Sequence, residues 1–190
     1  MRKQLGIAIL YTLVTTLLLG VAYPLVVTGL AQILMRNKAD GELLTRDGHI
    51  VGSALIGQGF TTDAYFHGRP SAAGNGYDAT SSGGSNFGPT NKKLVDRIET
   101  DVAADQKQNP GVPVPIDLVT TSGSGLDPDI SPAAAFYQVA RVAAARHIPE
   151  DTVHALVQSH IQPRQFGVFG ETRVNVLELN LALDATTPQR

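Results

Sequence analysis

The apolar residues of the chain are concentrated in one uninterrupted segment at the N-terminus. Residues 4–35 are 32 consecutive residues without a formal charge. About 20 apolar residues, at a rise of 1.5 Å each, cross a hydrocarbon core of about 30 Å. The segment therefore predicts a transmembrane helix over residues 5–35, which follows a short N-terminal tail of residues 1–4. A cleaved secretory signal is the alternative, but its apolar core is only about 7–15 residues long, so we expect an uncleaved anchor.

Small residues recur along one face of this predicted helix. Ala8, Thr12, Thr16 and Gly20 follow one another at intervals of four residues, and small side chains let a second membrane helix approach closely. Pro24 then interrupts the backbone hydrogen bonds, which a membrane tolerates when a neighbouring helix or a hydroxyl satisfies the freed groups. We expect these five residues to pack against a partner helix, although such residues are also ordinary in membrane helices.

The charges that flank the apolar segment favour one orientation. Arg2 and Lys3 precede it, whereas Arg36, Lys38 and Arg46 follow it together with acidic residues. Cytoplasmic flanks of membrane helices carry an excess of Lys and Arg, and here the two flanks nearly balance. Because acidic residues dilute the second flank, we expect the N-terminus in the cytoplasm and the body that follows on the other side of the membrane, in the periplasm.

Behind residue 36, shorter periodic segments predict a single α/β body. Alternating apolar residues predict short strands, over residues 42–44, 49–56 and 114–121. Apolar residues at helical spacing predict amphipathic helices, over residues 91–108, 132–147 and 150–161.

Helix starts also have local signals in this body. Ser131 and Pro132 suit the N-cap and the first helical position. The last segment, residues 175–184, is ambiguous because its leucines alternate as in a strand, yet it has few of the β-branched residues that strands favour. Asn175 could cap a helix there, so we favour a helix slightly and leave the strand open.

Residues 57–90 have the composition of a long loop, rich in Gly and interleaved with Ser, Asn and Pro. Aromatic residues are spaced through it, and disordered segments are poor in such residues. We expect an ordered surface loop. The predicted fold is thus α/β: one N-terminal transmembrane helix, then a single small extracytoplasmic domain over residues 36–190 with a long ordered Gly/Ser-rich loop.

Composition and charge exclude several functional classes. The chain contains no Cys, which excludes disulfide scaffolds, thiolate metal sites and cysteine nucleophiles. All 17 acidic residues lie beyond residue 39, where they outnumber Lys and Arg. An acidic body has no electrostatic attraction for nucleic acid or for anionic lipid, so we exclude both as partners.

Signatures of catalysis are incomplete. The chain has no Gly-Lys dipeptide, so the usual phosphate-binding loop is absent. Residues 121–125 approach the G-x-S-x-G hydrolase motif around Ser124, but Ser122 replaces the first glycine. Residues 127–138 begin like a calcium loop without its glycine and its glutamate, and the five histidines lack metal-ligand spacing. We expect no metal site. A membrane-tethered hydrolase that uses Ser124 and a stand-alone anchored binding module are the alternative functions.

Two polar clusters suit contact with another protein. One combines residues 66–71 with 82–86, and the other spans residues 120–129. Loops rich in Gly, Ser and Asn make adaptable contacts, although the same residues also serve turns. The interface candidates are Phe66, His67, Arg69, Pro70, Ser85, Asn86, Ser122, Ser124 and Asp127.

Several long segments carry a resemblance to a known family. They are GSALIGQ at 52–58, YFHGRPS at 65–71, SGGSN at 82–86, VTTSGSGLD at 119–127 and VNVLELNLALD at 174–184. With them the chain resembles the small C subunit of the bacterial Kdp-type potassium-transporting P-type ATPase, the KdpC family. The resemblance covers the anchor and nearly the whole body.

The resemblance implies a non-catalytic subunit of a four-subunit potassium pump in the inner membrane. Its partners would be an ion-conducting channel-like subunit, an ATP-hydrolysing P-type subunit and a small single-helix subunit. The implied role is to stabilise assembly and, as a catalytic chaperone, to raise the ATP affinity of the hydrolysing subunit.

The resemblance implies no cofactor held by this chain alone, and ATP only through the complex. The family's proposed nucleotide-contacting glutamine matches Gln138, within AFYQVARVA at 135–143. A body outside the membrane cannot touch cytoplasmic ATP. With the predicted orientation, any effect on ATP affinity would have to pass through the membrane subunits as coupling free energy.

Overall fold

The structure, a computed structural model, describes residues 2–186. Met1 of the predicted tail and residues 187–190 of the predicted domain lie outside the described residues. The described residues divide into two compact units, residues 2–51 and residues 52–186.

The first unit is dominated by one long apolar helix. It consists of α1 (Arg2–Leu17), a π-helical turn (Leu18–Ala22) and α2 (Tyr23–Leu34). In the wider turn, Tyr23 N donates to Leu18 O, five residues earlier. This bulge lies directly before Pro24, which has no backbone N–H to donate. The backbone hydrogen bonds of the helix therefore shift by one residue just before the proline, and the helix continues beyond it.

This helix is the one stretch among residues 2–186 whose length and composition suit a membrane span. It covers 33 residues, Arg2–Leu34, and none of its side chains is buried within the chain. A helix that is apolar all round and buries nothing in its own protein needs lipid or another helix around it.

A short helix and a hairpin complete this part of the chain. The elements are α3 (Arg36–Ala39), β1 (Leu43–Arg46) and β2 (His49–Ser53), and the two strands pair with each other. Asp47 and Gly48 join them with φ of 51° and 80°, the positive values that a two-residue turn of type I′ requires. The two strands predicted over residues 42–44 and 49–56 are confirmed, although β1 starts one residue later and ends two residues later, and β2 ends three residues earlier than expected.

The second unit mixes helices with a small sheet, which confirms the α/β class. Its elements are α4 (Lys92–Gln108), β3 (Asp129–Ile130), α5 (Pro132–Tyr137), α6 (Val139–Arg146), α7 (Glu150–Ser159), β4 (Ile161–Gln162), β5 (Arg173–Asn175) and α8 (Val176–Thr186). The sheet has the order β3-β5-β4, and both pairs are antiparallel. Apolar residues of α5 to α8 pack with the sheet and with Phe66 into one core.

Polar side chains cap three of these helices. Asn91 accepts from Lys93 N at 2.9 Å at the start of α4. Ser131 accepts from Ala134 N at 3.2 Å, and Pro132 opens α5 as predicted. Asn175 accepts from Glu178 N at 3.1 Å, so the last segment is a helix, which confirms the slight preference stated above.

Two predictions about secondary structure are wrong. Residues 114–121 form no strand but a 3₁₀ turn at Ile116–Leu118, because Pro113 and Pro115 supply no N–H for a ladder. The helix expected over 132–147 breaks in the middle, where Gln138 N bonds to Ala135 O at 3.1 Å, only three residues back.

Candidate functional site

The long loop is held by side-chain amides. Residues 54–91, all of them described, contain no helix or strand. At its centre, Asn180 of α8 accepts from Phe66 N at 2.9 Å and donates to Phe66 O at 3.0 Å. Gln138 accepts from the next residue, His67 N, at 2.8 Å and donates to His67 O at 3.1 Å. The two amides thus replace the backbone partner that a strand would have here.

Gln138 has every hydrogen-bonding position of its side chain in use. Besides His67, its amide nitrogen donates to Ala134 O at 3.1 Å, and its oxygen accepts from Arg141 at 2.6 Å. These bonds use both amide hydrogens and both lone pairs of the oxygen. The residue is only 4% exposed. A ligand could contact its polar atoms only by displacing one of these bonds.

Phe66 is the one interface candidate that the structure contradicts. It is fully buried and belongs to the hydrophobic core, so it cannot face a partner. Its ring anchors the loop, and the bonds from Asn180 satisfy the backbone groups that are buried with it. The prediction that Phe66 contacts a partner is therefore wrong, because its ring is buried in the core of its own chain.

Arg69 connects the two polar clusters. It forms an ion pair with Asp127 at 3.1 Å and donates to Thr120 O at 3.2 Å, with a longer bond to Thr121 O at 3.4 Å. The side chains of Arg69 and Asp127 are 24% and 31% exposed. Hydrogen bonds with charged partners are stronger than neutral ones. Arg69 therefore fixes the loop against residues 120–127.

The Ser- and Gly-rich segments meet a short distance away. Gly83 N donates to Ser124 O at 2.8 Å, and Ser82 Oγ donates to the same oxygen at 3.0 Å. A Cβ on Gly125 would lie 2.6 Å from Gly83 O, so this close approach requires glycine. The two clusters that are distant in sequence thus form one surface, here called the loop surface, made of residues 67–71, 82–86 and 120–127.

The predicted interface residues differ in exposure on this surface. Asn86 and Ser124 are exposed, and the half-buried ones are His67, Arg69, Pro70, Ser85, Ser122 and Asp127. Sequence reasoning missed Asn180, which holds the loop from beneath. The available signal was an asparagine placed between leucines on the apolar face of a helix.

A cleft of about 360 Å³ adjoins the loop surface. His67, Arg69 and Pro70 line it from the loop, and Asp105, Gln138 and Arg141 line it from the helices. Burial and the charge of Arg141 lower the pKa of His67, so its neutral form is favoured. Burial, followed by the charge of Asp101, raises the pKa of Asp105.

The geometry around Ser124 is that of a turn. Its hydroxyl accepts from Leu126 N at 3.1 Å and lies 3.5 Å from Ser122 Oγ. Within residues 2–186 no histidine bonds to it, and a nucleophilic serine needs a base within reach. Across the same residues, no group of three or more His, Asp or Glu side chains could hold a metal ion.

The four small residues and the proline of the apolar helix lie on both sides of the π-helical turn. Ala8, Thr12 and Thr16 belong to α1, Gly20 to the turn and Pro24 to α2, and all are exposed. A Cβ on Gly20 would lie 3.9 Å from Thr16 Cγ2. Thr16 and Gly20 are therefore neighbours on one face in spite of the turn.

Comparison with known proteins gives consistent results over nearly the whole chain. A family described as "KdpC: K+-transporting ATPase, c chain" matches residues 5–185. A potassium-transporting ATPase KdpC subunit of Koribacter versatilis is 57% identical over 188 residues, which are 99% of this chain and 97% of the relative. The KdpC subunit of Caulobacter vibrioides is 59% identical, over 91% of this chain and 88% of that protein. The KdpC subunit of Rhodopseudomonas palustris is 52% identical, over 100% of both chains.

Proposed function

The chain belongs to the KdpC family of K+-transporting ATPase c chains, and from this membership we propose that it is an accessory subunit of an ATP-driven potassium-uptake complex in the inner membrane. The observation that carries the proposal is the extent of the match, which includes both the apolar helix and the body. The subunit itself performs no bond chemistry. Potassium conduction and ATP hydrolysis belong to its partners, a channel-like subunit and a P-type subunit, which assemble with it and a small single-helix subunit.

The anchor supplies the first contact with these partners. Its ridge of Ala8, Thr12, Thr16 and Gly20 lets a helix of the ion-conducting subunit approach closely, and all four residues are free of contacts that bury them in this chain. Pro24 and the π-helical turn interrupt the regular hydrogen-bond ladder beside this ridge. Packing in a membrane depends on such fit, because lipid is as apolar as the helix surface.

The body lies on the periplasmic side of the inner membrane, and the N-terminus lies in the cytoplasm. Arg2 and Lys3 at the first flank and the acidic residues at the second support this orientation. Protease added to intact spheroplasts should then digest the body while a tag placed before Arg2 stays protected. Protection of the body until the cells are lysed would contradict the orientation.

The loop surface docks on the outer face of the pump and stabilises the assembled complex. Through that contact the subunit raises the ATP affinity of the hydrolysing subunit. Because all hydrogen-bonding positions of Gln138 are occupied, we assign it to the support of the loop rather than to nucleotide contact. The effect on ATP then travels as coupling free energy between two distinct sites, which amounts to about 1–3 kcal/mol in typical cases.

Co-purification tests the proposal. The full chain, tagged at its C-terminus and co-expressed with the other three pump subunits of its host, should bring all three out of detergent extracts together with potassium-stimulated ATPase activity. A matched preparation of the chain expressed without the others should show no ATPase activity. Recovery of the chain alone from the co-expressing cells would favour a solitary anchored module.

A further inference from the structure

The connection between β4 and β5 exposes three large apolar side chains to solvent. Phe166 is 93% exposed, Val168 is 70% and Phe169 is 65% exposed. Apolar residues scattered singly on a surface are ordinary, but several together at the end of one hairpin are characteristic of interaction sites. We call residues 164–171 the aromatic tip.

Hydrogen bonds and an ion pair hold the aromatic tip together. Gln165 and Phe169 exchange two backbone hydrogen bonds of 2.9 Å, and Arg164 pairs with Glu171 at 2.5 Å. Its base is the central sheet, in which Gln162 pairs with Arg173. Phe166 has a φ of 54°, a left-handed conformation that costs energy for a residue with a Cβ. A hairpin end that is already ordered before binding loses less entropy on binding than a flexible segment would.

We infer that the aromatic tip inserts into an apolar pocket on a membrane-embedded protein subunit of the pump, an inference that rests on the proposed function. Charge favours a protein over lipid. Arg164 and Glu171 neutralise each other, and the body as a whole carries an acidic excess. Segments that bind a lipid surface typically combine their apolar residues with a polar face rich in Lys and Arg, and the tip has no such face.

The size of the tip defines its role in the contact. A buried aromatic side chain covers about 150–250 Å², whereas each partner in a stable complex buries about 800 Å². The tip therefore provides the central anchor of an interface and not its whole area. Aromatic anchors of this kind carry a disproportionate share of binding free energy, so removing them should have a large effect on assembly.

The first experiment removes the anchor from the full chain in the co-expressed complex. Phe166→Ser together with Phe169→Ser should lower recovery of the larger subunits at least tenfold. The melting temperature of the body should stay within about 2 °C of the wild type, because these rings are exposed. The control is Ile116→Ser, which removes another apolar side chain, 71% exposed, and should leave recovery unchanged. Equal recovery with the tip variant would overturn the proposal.

The second experiment identifies what the tip contacts in native membranes. Phe166 is replaced by the photoreactive amino acid p-benzoylphenylalanine, and the adduct formed on irradiation is analysed by mass spectrometry. An adduct with a membrane subunit of the pump supports the proposal. An adduct with lipid only, a crosslinked pair of this chain, or no adduct overturns it. If the wild-type chain recovers no pump subunit, the proposed function fails as well, whereas recovery by both wild type and tip variant rejects the tip alone.

Discussion

Replacement of Gln138 tests directly whether this residue supports the loop. Gln138→Ala would leave His67 N and His67 O without their partner, since both bonds, of 2.8 and 3.1 Å, come from the one side chain. An unsatisfied buried polar group costs about 1–3 kcal/mol. Because the two groups are only partly buried, we expect a loss of about 2–4 kcal/mol in the free energy of unfolding of the body.

Pulse proteolysis in urea measures this loss on the full chain in lipid nanodiscs. For a urea dependence of about 2 kcal/mol per M, the midpoint should fall by about 1–2 M. Gln108→Ala is the matched control, because Gln108 lines the same cleft but is exposed, and its effect should be below about 0.5 kcal/mol. If Gln138→Ala unfolds at the same urea concentration as this control, the role of Gln138 in supporting the loop is refuted. Direct contact of Gln138 with a ligand would then be the favoured role.

Three further predictions concern the ion pair, the cleft and the anchor. Arg69→Ala should lower the free energy of unfolding by about 1.5–3 kcal/mol, because bonds to charged groups are lost, and unchanged urea midpoints would contradict this. Asp105→Asn should stabilise the chain at neutral pH but not below about pH 3. Folding raises the pKa of this carboxyl above its ordinary 3.8, so the folded state loses stability relative to the unfolded state as the group ionises. Equal stability of variant and wild type at pH 7 would count against this prediction. Gly20→Leu should reduce co-purification of the pump subunits, whereas Gly6→Leu, which lies in α1 but outside the ridge, should not. Equal recovery of the subunits with both variants would contradict a packing role of the ridge.

The local features of the fold could be predicted because their causes are local. A cap depends on a few neighbouring residues, so Ser131 and Asn175 were recognisable from the sequence. The hairpin at Asp47 and Gly48 has the same origin, a turn that selects residues able to adopt positive φ.

Features set by distant residues could not be predicted. Phe66 lies in a loop of surface composition, and its burial depends on Asn180, 114 positions away. The strands β3 and β4 have two residues each, too few to show a period, and they exist only because β5 lies between them. The break at Gln138 likewise has no proline or glycine to signal it, and its side chain bonds to His67, 71 positions away.

The loop surface could be predicted in part. Its residues were recognised as two polar clusters from composition alone, but their union depends on the ion pair of Arg69 with Asp127, 58 positions apart. Glycine was a usable signal at Gly125, where the close approach of Gly83 O excludes any side chain. The sequence therefore indicates that a contact surface exists, while its geometry requires the fold.

The most direct test of the account compares the pump with and without this chain. Complexes of the other three subunits are prepared in the presence and absence of the chain, and potassium-stimulated ATP hydrolysis is measured over a range of ATP concentrations. The account predicts that removal of the chain lowers the yield of assembled complex and raises the KM for ATP in what remains. Equal yield and equal KM without the chain, or ATP hydrolysis by the purified chain alone, would contradict it.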